Sequence, residues 1–110
     1  MTTESPEPTR TIAAHAPDLM DQSKIRGALP DVTFVRRADA LPTTDADIVL
    51  VDLNRPGVLD AVGAIEATVI GFGSHVDDDL LQAARDAGCD EVLARSVFFA
   101  RLARGTLDPE

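Results

Sequence analysis

Between two polar ends, the chain alternates short apolar runs with segments of helical spacing. RTIAAHA (10–16) reads as a strand. Pro17-Asp18 then supplies a helix start, because Asp18 can accept backbone N–H bonds and Asp21 falls in the first turn. Leu19, Met20, Ile25, Ala28 and Leu29 make an approximate apolar stripe, and Pro30 stops it. VTFVRR (32–37) is a second strand, and ADALPTTDAD (38–47) has room for about one helical turn at best. IVLVDL (48–53) is the strongest strand, and its unbroken apolar run implies burial on both faces. VLDAVGAIEA (58–67) is a short helix with Val58, Val62 and Ile65 on one side, and TVIGFG (68–73) is a fourth strand. DDDLLQAARDAG (77–88) is a helix, acidic at its start and closed by Gly88. EVLARS (91–96) is a fifth strand, after which Ser96 caps a last helix carrying Phe98, Phe99, Leu102 and Ala103.

Five strands alternating with helices predict right-handed parallel crossovers and a sheet covered on both faces. In such sheets function gathers at the C-terminal strand ends. The loops after Ala16, Arg37, Leu53, Gly73 and Ser96 are therefore the ones to search.

Composition narrows the function classes. With 110 residues, the chain is expected to hold one domain, over residues 10–105. Residues 1–9 are polar, with two prolines and two glutamates, and are expected to form a disordered tail; residues 106–110 are expected to fray. A net charge of −9 argues against nucleic acid and anionic membrane partners. No apolar run approaches a membrane span, and the single cysteine, Cys89, allows no internal disulfide and no thiolate cluster. A cytoplasmic protein is expected, with no cofactor and no metal.

IVLVDLNRPG (48–57) resembles the third strand and following loop of response-regulator receiver domains, where an aspartate ends the strand and Pro-Gly follows. AGCDEVLARSVF resembles the fifth-strand segment AGADDYLxKPF, and VIGFGSHVD resembles the fourth-strand segment VIMLTAHGD. PDLMDQSKI falls where the family's first helix begins. The resemblance implies an α/β, flavodoxin-like three-layer sandwich. Its parallel five-stranded sheet has order 2-1-3-4-5, and here the second crossover helix is short or absent, leaving one flank thinly covered.

The family phosphorylates the aspartate that aligns with Asp52, using Mg²⁺ held by an acidic pair at the end of the first strand. Ala14 and His15 stand at those two positions, and neither is an oxygen ligand for a hard cation. The family's Thr/Ser aligns with Gly73, followed by Ser74; its Lys aligns with Arg95; its cis-prolyl partner aligns with Ser96, which predicts a trans bond there.

Several readings follow. Asp52 either accepts a phosphoryl group or has a structural role, accepting N–H bonds from the Asn54-Arg55 turn or pairing with Arg95, and we favour the structural role. His15 either forms a pH-sensitive pair with Asp52 or bonds to backbone or solvent. Ser74 and His75 precede a helix, where backbone N–H groups can bind an anion, but the glycines there also serve a tight turn and Asp77 a cap. The expected function is a stand-alone pseudo-receiver, not an enzyme, acting through a protein partner or self-association by the face around Arg95–Phe99. Two alternatives remain. One is a single-domain regulator phosphorylated on Asp52; the other is a small-ligand or enzyme site built from His15, Ser74, His75 and Arg95.

Overall fold

The computed structural model describes residues 11–74 and 78–105. Five parallel strands lie in the order β2-β1-β3-β4-β5, as the resemblance implied. They are β1 (Ile12–His15), β2 (Thr33–Phe34), β3 (Ile48–Asp52), β4 (Thr68–Gly73) and β5 (Glu91–Ala94). Helices α1 (Leu19–Ala28), α2 (Val58–Val62) and α3 (Asp78–Ala87) and a 3-10 helix at Ala38–Thr43 connect them, and α4 (Arg95–Arg104) follows β5.

The pleat of β3 sorts the core into two halves. Ile48 and Leu50 point to one face, where Ile25 of α1 and Phe98 and Leu102 of α4 close over them. Val49, Val51 and Leu53 point to the other, under α2, α3 and the 3-10 helix. All five residues of β3 are buried, which is why its sequence lacks the alternation of a half-exposed strand. On the first side Phe72 and Phe98 stack with ring centroids 4.2 Å apart, and Phe99 meets both rings edge-on.

Several elements depart from the pattern read along the chain. In α1, Leu19 and Met20 are 78% and 71% exposed, whereas Asp21 is buried. Helical phase explains this: Ile25 faces the core, and four residues back along the same face lies Asp21, not the two apolar residues before it. The second strand is only two residues long, although Val35 still donates to the Ala14 carbonyl at 2.8 Å. The segment between β2 and β3 winds into six residues of 3-10 helix, more than the one turn expected, and its Leu41 is fully buried on the flank expected to be thinly covered. Helix α2 ends at Val62 before Gly63, and Ile65 reaches the core from the following turn.

Helix α4 starts at Arg95, one residue before the expected cap. Ala94 is its N-cap without a side-chain bond, and Ser96 lies exposed in the first turn. Among the described residues no peptide bond is cis, so the bond before Ser96 is trans as expected. The expected tails at 1–9 and 106–110, the Asp77 cap and the candidate His75 lie outside the described residues.

Candidate functional site

The C-terminal ends of β1, β3, β4 and β5 meet along one edge, with His15 opposite Val51, Asp52 opposite Phe72, and Gly73 opposite Ala94. Asp52 is the last residue of β3 and shares the pleat phase of Ile48 and Leu50. It therefore faces the α1/α4 side, although Leu53 after it turns to the opposite core.

Two basic side chains and one amide converge on the buried Asp52 carboxylate. The Asn54 N–H donates to Oδ1 at 3.1 Å, closing an Asx turn. Arg55 Nε donates to Oδ2 at 3.3 Å, and an Arg95 terminal nitrogen lies 3.8 Å from the same oxygen. The other terminal nitrogen of Arg95 donates to Asp21 Oδ1 at 2.6 Å. Arg95 thus bridges two buried carboxylates from two other elements, and its guanidinium lies over the Phe72 and Phe99 rings at 5.4 and 5.3 Å. A planar, delocalised cation suits this position, since it can bond in its plane and stack on its faces.

Neighbouring groups complete the edge. Asp18 accepts from the Met20 and Asp21 N–H groups at 2.8 and 3.1 Å, which caps α1 and holds the Asp18 carboxyl below its ordinary range. Asn54 Oδ1 accepts the Ser74 N–H at 3.3 Å, tying the β3 loop to the end of β4. Gly57, at φ 82°, takes a left-handed conformation at the start of α2, a conformation that favours glycine after Pro56.

His15 is buried with its Nδ1 donating to the Val35 carbonyl at 2.9 Å. Among the described residues no hydrogen bond or ion pair joins it to Asp52. The register gives the reason: His15 pairs with Val51 and shares its side of the sheet, whereas Asp52 is on the opposite side. Of the residues singled out in the sequence, Asp52 and Arg95 are brought together, Ser74 is linked to them through Asn54, and His15 and Ser96 are directed elsewhere.

Asp21 and Arg55 complete the cluster and were not anticipated. Arg55 was legible as a residue three places after Asp52, within reach across a turn. Asp21 was legible only from the phase set by Ile25, which the neighbouring Leu19-Met20 pair obscured.

Cys89 is half-buried, and burial, with the adjacent Asp90 carboxylate, pushes its thiol up to about 11. It is therefore a poor nucleophile. Among the described residues, no group of three or more His, Cys, Asp or Glu could hold a metal ion, and no helix is long and apolar enough to cross a membrane.

No protein-family model matches the chain, and no curated protein sequence matches it. Solved structures do. The phosphorylated cyanobacterial phytochrome response regulator RcpA superposes with TM-score 0.73 at 18% identity, covering 91% of this chain and 90% of that one. A response regulator from Hahella chejuensis gives 0.75 at 16% identity, covering 89% and 92%. The signal receiver domain of the putative response regulator NarL from Mycobacterium tuberculosis gives 0.75 at 14%, covering 93% and 96%. Identities this low speak for architecture alone, and together with the strand order they show that the chain has the flavodoxin-like fold of response-regulator receiver domains.

Proposed function

We propose that the protein is a pseudo-receiver, a regulatory module that acts through protein contacts and does not use Mg²⁺-dependent phosphorylation. The observation that carries this is the Arg95 bridge, which holds a fixed cation between Asp21 and Asp52. Phosphoryl transfer to a carboxylate requires charge neutralisation on the transferred group, and receivers supply it with a hard divalent cation bound by oxygen ligands.

The residues present do not fit that ion. Ala14 carries no donor, His15 is a nitrogen ligand turned to the other face, and Asp52 Oδ2 already meets two guanidinium groups. A divalent cation at Asp52 would sit against Arg55 and Arg95, and Coulomb repulsion opposes that at such short range. The arrangement instead sets two tethered cations, Arg55 and Arg95, against two buried carboxylates.

A net charge of −9 supports a protein rather than a nucleic acid as partner, and the unreactive lone thiol suits a reducing cytoplasm. Incubation with Mg²⁺ and acetyl phosphate, followed by intact-mass measurement, tests the reading. No mass change is expected. A stoichiometric phosphate-sized gain, absent in Asp52→Asn, would overturn it in favour of a phosphorylated regulator.

A further inference from the structure

The charge of this chain is divided between its two helical layers. Helices α1 and α4, on one side of the sheet, carry Lys24, Arg26, Arg95, Arg101 and Arg104 against Asp21 alone. The opposite layer, made of the 3-10 helix, α2 and α3, carries Asp39, Asp60, Asp78, Asp79 and Asp86 against Arg85 alone. A protein of net charge −9 thus has one basic helical face. Arg95 is offset by Asp21 and Asp52, and Arg101 by Glu91 at 2.8 Å, so the exposed cations of that face are Lys24, Arg26 and Arg104.

The same face is grooved. Between α1 and α4 lies a depression of about 490 Å³ lined by Lys24, Gly27, Ala28, Phe99, Leu102 and Ala103. Its walls are largely apolar, with small residues on both helices, and Lys24 stands over the Phe99 ring at 5.0 Å. Met20, 71% exposed, lies one turn before Lys24 on the same helical face and prolongs the apolar line.

We infer that the α1/α4 groove is the docking site for an acidic segment of a different protein that inserts an apolar side chain between Phe99 and Ala103. Charge complementarity selects the occupant. A symmetric pair of copies through this face would set basic helices against basic helices. A head-to-tail pair would present the α2/α3 layer, and among the described residues the exposed large hydrophobics are Leu19, Met20 and Val97, none of them in that layer. Among the described residues, a second copy therefore offers either the right charge or an exposed apolar anchor, not both. A docking face of this kind presupposes the interaction-module reading and adds the chemistry of the partner.

Selection of peptides displayed on phage, from a library unbiased in charge, against the full chain tests this. Enriched peptides are expected to be net acidic with an aromatic or aliphatic anchor, and to bind more weakly as salt is raised. Amide NMR shifts should centre on Lys24, Gly27, Phe99 and Ala103. Gly27→Trp is chosen to fill the groove, and a Cβ there meets nothing within 4 Å, so circular dichroism that matches the wild type is expected. That variant, and the pair Lys24→Glu with Arg104→Glu, should each weaken binding at least about tenfold, whereas Asp78→Lys with Asp79→Lys should not. Neutral or basic selected peptides, an absence of enrichment, shifts centred elsewhere, or full binding by Gly27→Trp would each overturn the inference. So would concentration-dependent self-association that Gly27→Trp abolishes. Phosphorylation by acetyl phosphate together with acidic-peptide binding in the groove would overturn the pseudo-receiver reading and leave the groove standing.

Discussion

At the scale of single residues, Arg95 is the group on which the site depends. It is 37% exposed as a side chain, but its partners Asp21 and Asp52 are only 5% and 4% exposed. Removing it leaves two buried carboxylates with much of their charge uncompensated, the situation in which a broken ion pair is most costly. Its own partial exposure lets water soften the loss, so Arg95→Ala should destabilise by about 2 kcal/mol in urea unfolding. Arg95→Ala with Asp21→Leu should be less destabilised than Arg95→Ala alone, because the double variant no longer buries the Asp21 charge. Additive losses would show that the bridge is not the coupling element.

Two titrations also belong here. Backbone donors hold Asp18 below its ordinary 3.8, so its contribution is present above that value and is lost as pH falls through the folded value. Asp18→Ala should lower the unfolding midpoint at pH 7, and the difference from wild type should vanish in strong acid. Cys89 is raised from 9.0 to about 11, so the half-buried thiol contributes fully below pH 9.0 and loses its contribution as pH rises towards 11. Cys89→Ala should remove that alkaline slope in stability measured against pH.

At the scale of elements, the tight fit lies between β4 and the residue after β3. A Cβ on Gly71 would stand 2.8 Å from Leu53 Cδ2, and Leu53 is itself buried. Gly71→Ala therefore overpacks the second core and should cost about 1–3 kcal/mol, readable as a lower urea midpoint with an unchanged slope. The strands β3 and β4 were legible almost to the residue, because apolar runs bounded by turn residues admit few other readings. Helix α1 was legible as a helix but not in its facing. Its most hydrophobic pair, Leu19-Met20, points outward, since the phase is set by Ile25 and by the need of Arg95 for a carboxylate partner. Helix α4 began early because the strand could end at Ala94 without any capping side chain, a choice made by the sheet register rather than by Ser96.

For the whole molecule, two cores on either side of one sheet share the stability, and the first leans on a single aromatic group. Phe98 is fully buried, stacks on Phe72 and anchors α4 to β4. Phe98→Ala should cost about 3–5 kcal/mol, a large part of the 5–15 kcal/mol typical of a domain, and thermal unfolding would report it as a sharply lower midpoint.

The order of apolar runs and turns along the chain was enough by itself to give an α/β sheet of five parallel strands, because burial on two faces demands unbroken hydrophobic strands and intervening amphipathic helices. It also marked Asp52, the carboxylate that ends the apolar run of the strongest strand, whereas Arg95 was marked by the resemblance, as the counterpart of the family's Lys. Only the tertiary structure decided that Arg95 would also meet Asp21 and that His15 would not meet Asp52. The pleat of β1 sends His15 to one side of the sheet and that of β3 sends Asp52 to the other, while the phase of α1 brings Asp21 beneath Arg95. Those pairings depend on register and helix rotation between segments far apart in the chain, and local sequence carries neither.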